Sequence, residues 1–180
     1  MNAEPAKYAK PECERRFVHS EVPEGATDPR EVLDLYLVGT RLRVRSVRTG
    51  DDVTYKLGQK IRPTPDDPGL VMHTTMYLTH EEYDGFAALP HNQLRKTRRA
   101  IAVAGRTMSV DTFHDALEGL ILAEVDLGSD DGRVPEFQPP GYCVSEVSRD
   151  ERFTGGQLAI ADRATIAAAL EAVSGLRLPR

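Results

Sequence analysis

Glu12-Cys13-Glu14-Arg15-Arg16 sets acid, acid and base at every second position, with Cys13 and Arg15 between them. Side chains two residues apart share one face of a β-strand, because successive residues point to opposite faces. The pattern recurs down the chain. Arg41, Arg43 and Arg45 alternate with Leu42 and Val44, and Lys56 ends Val53-Thr54-Tyr55-Lys56. Lys96 and Arg98 flank Thr97, Glu124 and Asp126 flank Val125, and Glu146 lies between Ser145 and Val147. One such stretch is explained by a strand with a single wet face. Repetition, with acids on some strands and bases on others, points to a curved sheet. Its charged face is then enclosed and lines a cavity for a highly charged ligand.

Composition bounds the rest. A chain of 180 residues suits one domain. We expect residues 1–10 to be a flexible tail and 11–180 to be the domain. Aromatic residues make up 6%, Trp is absent and the formal net charge is −5. These values argue against a base-stacking or basic nucleic-acid surface. Met1 to Lys10 is polar and lacks the apolar centre of a secretory signal. No apolar run approaches the roughly 18 residues of a membrane span. The expected setting is therefore the cytoplasm, with no membrane partner, as a monomer or homodimer. Cys13 and Cys143 form no CxxC and read as reduced thiols.

Turn and cap signals divide the chain into short pieces. A strand is expected from about Pro11 to Val18, and Asp28-Pro29 reads as the start of a short helix. One long extended piece runs from Leu35 to Arg48, turns at Thr49-Gly50-Asp51-Asp52, and returns over Val53 to Leu57. A proline-rich loop covers residues 62–69, before a strand from Val71 to Leu78. Thr79 or His80 opens a helix, Glu81 to Leu89, whose Tyr83, Phe86 and Leu89 are expected in the core; Pro90 ends it. Further strands span Leu94 to Val103, Thr107 to Phe113, Leu120 to Leu127 and Tyr142 to Val147. A last helix, Ala164 to Val173, is capped by Asp162 and closed by Gly175. The sum is an α+β chain, mainly β, with about eight antiparallel strands and a few short helices.

Read in order, these stretches resemble the CYTH domain of the triphosphate tunnel metalloenzymes. Glu12-Cys13-Glu14-Arg15-Arg16 is similar to the family's ExExK signature, with Arg16 at the lysine position. Leu42-Arg43-Val44-Arg45 resembles its LRxR strand, Thr54-Tyr55-Lys56 its TxK strand and Lys96-Thr97-Arg98 its KxR strand. Val110 to Phe113 resembles the DxF element, and Gly119 to Asp126 the GLxxxExE strand. Ser145-Glu146-Val147, Arg152-Phe153 and Leu158-Ala159 look like the closing segment. The resemblance implies a closed eight-stranded antiparallel β-barrel, a tunnel. It also implies Mg²⁺ or Mn²⁺ and activity on inorganic triphosphate, nucleoside triphosphates or thiamine triphosphate; some members are adenylyl cyclases. One strand departs from the pattern. Where the family carries two acids before the helix, His73 and Thr75 stand here. This departure leads us to expect a weakly bound second metal and low turnover.

The chemistry agrees with the resemblance. A triphosphate needs arginines and lysines around it. The expected substrate-binding set is Arg16, Arg43, Arg45, Lys56, Lys96, Arg98 and Arg152. Hard divalent cations need oxygen ligands. Glu12, Glu14, Glu124, Asp126 and Glu146 are the expected metal ligands, with Asp111 behind them. Glu12, Glu14 and Glu124 are the expected catalytic acids. Plainer readings stand beside these: Arg41 and Arg48 as surface charge, Asp111 as a structural partner of an arginine, and His73 as a packed or exposed histidine. The expected function is a metal-dependent phosphohydrolase acting on a triphosphate. The alternative is a catalytically weakened CYTH protein that binds polyphosphate or a nucleotide.

Overall fold

The computed structural model describes residues 7–62, 70–128 and 137–179. Among the described residues nine strands make one sheet: β1 (Lys10–His19), β2 (Thr27–Leu37), β3 (Leu42–Thr49), β4 (Asp52–Ile61), β5 (Leu70–Leu78), β6 (His91–Val103), β7 (Arg106–Phe113), β8 (Ile121–Asp126) and β9 (Cys143–Glu146). The order is β5-β4-β3-β2-β6-β7-β8-β1-β9, and a β1–β5 pairing closes the first eight strands into a barrel. Every pairing is antiparallel. β1 divides one of its edges. Lys10 to Cys13 pair with β5, and Phe17 to His19 pair with β9. The barrel's remaining edge on β1 is thus covered rather than left open.

Closure gives the two-residue spacing its meaning. Cross-strand partners share a face, so Glu14 opposite Asp126, Arg16 opposite Glu124, Arg43 opposite Gly58 and Arg45 opposite Lys56 all belong to the inner wall. The alternate residues face outward. Cys13, Phe17, Met108, Val110, Ala123 and Val125 form one outer cluster, covered by Leu127 and Phe137. Leu35, Leu37, Val44 and Leu57 form another, against which Tyr83 and Phe86 of helix α1 (His80–Ala87) pack. Leu89 falls beyond α1 and is exposed, against expectation. A capping box starts the helix: Thr79 Oγ1 accepts from Glu82 N, and Glu82 Oε2 accepts from Thr79 N.

One end of the barrel is filled by the C-terminal segment. Inward-facing Val18, Leu94, Phe113 and Leu122 pack with Phe153 and with Leu158 of α2 (Gly155–Leu158). Ile166, Ala169 and Leu170 of α3 (Arg163–Ser174) complete this cluster. Asp162 caps α3 as expected, and Gly175 ends it in the left-handed region at φ 70°.

The structure corrects two further local expectations. Asp28-Pro29 does not open a helix; it lies within β2. Asp28 adopts φ 54°, and the register with β6 shifts between Thr27 and Arg30. A bulge is one of the few places where a strand tolerates proline, since no ladder donor is needed there. The extended piece Leu35 to Arg48 is two strands. Gly39 turns the chain at φ 74°, and Thr40 Oγ1 donates to Leu37 O while accepting from Leu42 N. The expected proline-rich loop lies mostly outside the described residues.

Candidate functional site

The inner wall encloses a cavity of about 280 Å³, near the low end of small-ligand pockets. Arg16, Arg43, Arg45, Lys60, Lys96 and Arg62 bring bases to it, and Glu14 and Glu124 bring acids. Thr154, Gly155 and Gly156 close one side, beside Tyr36.

The basic wall is fixed by two buried carboxylates. Asp34 has no exposed surface. It accepts from Arg45 Nε at 2.5 Å and Nη2 at 2.8 Å, a two-point contact. Arg43 Nε lies 3.4 Å from the same carboxylate but makes no hydrogen bond. Burial pushes Asp34 up, yet Arg45 and Arg43 overcome it and hold the carboxyl below its ordinary value. Asp111 does the same for β6. It accepts from Lys96 Nζ, Arg98 Nε and Arg98 Nη2, each at 2.6 Å. The plainer reading of Asp111, a partner for arginine, is the one the geometry gives.

Glu124 stands between two strands of bases. Its Oε1 accepts from Arg16 Nε at 2.8 Å and its Oε2 from Arg98 Nη2 at 3.1 Å. Burial would raise its carboxyl; Arg16 and Arg98 hold it well below the usual range. Both oxygens being engaged, Glu124 orients the arginines.

Glu12 and Glu14 form a second group near the β1–β5 seam. His73 Nδ1 lies 2.6 Å from Glu12 Oε1, and Thr75 Oγ1 lies 3.0 Å from His73 Nε2. Lys60 Nζ lies 3.0 Å from Glu12 Oε2 and 2.6 Å from Glu14 Oε1. Burial opposes ionisation of Glu12, but the His73 bond and Lys60 bring its pKa down to about 2. His73 is therefore a working member of the wall, set against an acid.

The remaining expected site residues fall elsewhere. Glu146 is on the outer face, where it accepts from Arg15 Nε and Nη2 and from Ser148 Oγ. It cannot join the inner carboxylates, because its face of β9 matches that of Phe17 on β1. Arg152 is exposed and paired with Asp150 inside a short 3₁₀ turn, and it is not part of the cavity lining. Asp126 faces Glu14 across the ladder, but its Oδ1 accepts from Cys13 N and Gly128 N, so it also fastens the end of β8. Lys56 lies on the inner face with its Nζ 5.1 Å from the Tyr77 ring centre, and it makes no ion pair among the described residues. Arg41, read as surface charge, borders the cavity.

Sequence reading missed Asp34, Tyr36 and Lys60. The signals were present. Asp34 and Tyr36 alternate with Leu33, Leu35 and Leu37, and Lys60 follows Lys56 and Gly58 at the same period of two. Tyr36 is partly buried, and loss of solvent around its hydroxyl together with Asp34 pushes that hydroxyl up to about 12. Gly155 makes room for it: a Cβ there would lie 2.0 Å from the Tyr36 hydroxyl.

The donor set suits a divalent cation that arrives with phosphate. Mg²⁺ is commonly held by one or two carboxylates, with substrate phosphates and water completing the shell. Glu12 and Glu14 supply that pair, and Glu12 Oε2 is buried without a hydrogen bond. Among the described residues no group of three or more His, Cys, Asp or Glu forms an all-protein cage.

No protein-family model and no curated protein matches the chain. Solved structures do. The inorganic triphosphatase NE1496 is 22% identical over 83% of this chain and 95% of its own, with TM-score 0.56. A second structure, described as the hypothetical protein NE1496, covers 84% and 99% at 22% identity and TM-score 0.57. PH1819 from Pyrococcus horikoshii OT3 is 14% identical over 68% and 82%, with TM-score 0.50. No helix of the described residues is long and apolar enough to cross a membrane. At these identities the likeness is one of fold: a closed antiparallel barrel with its charged face inward.

Proposed function

We propose that this chain is a CYTH phosphohydrolase that cleaves a triphosphate held in its barrel with Mg²⁺ or Mn²⁺. Inorganic triphosphate, a nucleoside triphosphate and thiamine triphosphate are the candidate substrates. The observation that carries the reading is the convergence of bases from β1, β3, β4 and β6 on one cavity. The likeness to a barrel described as an inorganic triphosphatase supports it.

The geometry supports the following roles. Arg45, Lys96 and Arg98 are held in place by buried acids, so their charge is preorganised rather than drawn from solvent. Arg43 lines the cavity and has a buried Nε without a hydrogen bond, so it has a donor to give to phosphate. In hydrolysis the water oxygen bonds to the terminal phosphorus. The bond from that phosphorus to the bridging oxygen breaks, leaving a diphosphate group and orthophosphate. The arginines and lysines balance the charge that grows on the departing oxygen. Glu12 stays ionised at neutral pH and, with Glu14, can accept hydrogen bonds from the attacking water. A bound divalent cation, held by Glu12 and Glu14, would supply further charge neutralisation on the phosphate oxygens.

The test is phosphate release from tripolyphosphate, ATP and thiamine triphosphate with Mg²⁺ or Mn²⁺, alongside thermal shift with the same ligands. Turnover of at least one substrate supports the proposal. Stabilisation without turnover assigns the chain to the binding-only alternative. Cyclic AMP in the ATP reaction would make it a cyclase. No stabilisation and no turnover would overturn the triphosphate reading.

A further inference from the structure

Lys60 is the inner-wall base that joins Glu12 and Glu14, neighbours on one face of β1. Lys96 and Arg98 lean on a carboxylate that is almost wholly buried, whereas Lys60 bridges two partly exposed ones. Those two, Glu12 and Glu14, are the acids best suited to a divalent cation. The Lys60 ammonium touches one oxygen of each. The contact with Glu12 Oε2 is ionic without hydrogen-bond geometry. Lys60 and Glu14 both border the cavity, so the ammonium and one of its acids face the space for ligand. A lysine head on a flexible four-carbon stem can be redirected, unlike a forked arginine fixed at two points.

Two cations cannot share this pair cheaply. A divalent ion bound to Glu12 and Glu14 would lie within a few ångströms of the Lys60 ammonium, where like charges repel strongly. An arriving triphosphate changes the balance, because its oxygens offer the ammonium another acceptor.

We propose that Lys60 is a tethered counter-cation that blocks divalent metal from the Glu12–Glu14 pair until a triphosphate draws it away. The inference rests on the proposed triphosphate function for the identity of what displaces Lys60. It assigns an order: in the free protein the acid pair is neutralised from within, and metal enters only together with phosphate. Lys60 then moves from the acids to the ligand and adds its charge to the basic wall.

The test is calorimetric titration of Mn²⁺ into the full chain with no phosphate compound present. Wild type is expected to bind weakly. Lys60→Gln is expected to bind about tenfold tighter or more, and Lys60→Met, which keeps the apolar stem, should behave alike. Lys60→Arg keeps the charge and should stay as weak as wild type. Adding Glu14→Gln to Lys60→Gln should abolish the gain, which places the metal on the acid pair. Wild type binding Mn²⁺ as tightly as either neutral variant overturns the proposal. So does a gain that survives loss of Glu14. Circular dichroism establishes that each variant is folded. If neither neutral variant folds, wild type decides alone: tight Mn²⁺ uptake without phosphate refutes the block. Failure of the triphosphate reading is seen separately, as tripolyphosphate that neither binds nor is cleaved.

Discussion

Arg43 and Asp34 are 3.4 Å apart, yet their substitution should have opposite consequences. Arg43 shares a carboxylate that Arg45 already satisfies, so Arg43→Ala leaves no buried charge alone. It should keep the fold and weaken tripolyphosphate binding about tenfold or more, since a hydrogen bond to a charged group is worth about 1.5–3 kcal/mol. Asp34→Ala removes the shared partner and leaves Arg45 and Arg43 facing each other in the interior. Breaking a buried pair from one side costs about 3–5 kcal/mol, so this variant should unfold at much lower denaturant concentration. Urea melts of both variants check the contrast, and equal stabilities would contradict it. Much of the wall was legible at this scale, because Arg43, Arg45, Lys96, Arg98 and Glu124 declare themselves by spacing. Asp34 has the same period of two, but the leucines around it from Leu33 to Leu37 make the stretch read first as a core strand.

At the scale of elements, β5 is where the chain parts from the CYTH pattern that its sequence resembles. The sequence shows His73 and Thr75 there but not their partners. Register brings the partners in: Lys60 of β4 pairs with His73 of β5, and both turn toward Glu12. That partnership spans three strands, which no local pattern reveals. His73→Glu with Thr75→Glu would set new carboxylates beside Glu12 and demand a cation there. Single-turnover hydrolysis at matched Mn²⁺ should rise in the double variant; a slower double variant would show that β5 already serves catalysis as it stands. The errors at Asp28-Pro29 and at Gly39 have the same origin. Proline after aspartate resembles a helix start locally, and only the β6 ladder shows a bulge. A lone glycine in an extended run gives little sign of a turn until Thr40 is seen bonding across it.

Across the whole molecule, the barrel stores many ionised acids beside bases, and acid should release that stability. Glu12 falls from 4.5 to about 2 on folding, and Asp34, Asp111 and Glu124 are depressed as well. A depressed carboxylate stabilises the fold fully above its unfolded value and loses that contribution as pH falls through the folded one. The melting temperature should therefore begin to fall below about pH 4.5 and continue falling toward pH 2, as thermal scans across that range will show. Closure of the barrel and its mainly β character were legible from alternation and short connections. The filled end was not, because Phe153, Leu158 and Ile166 meet Val18 and Leu122 only in three dimensions.

The central claim is that the enclosed bases form a binding site for a triphosphate. Calorimetric titration of the full chain with tripolyphosphate, beside orthophosphate, tests it most directly. The account predicts saturable binding of about one tripolyphosphate per chain, at least about tenfold tighter than orthophosphate, because each further charge-assisted contact adds to affinity. Tripolyphosphate that binds no better than orthophosphate would contradict it.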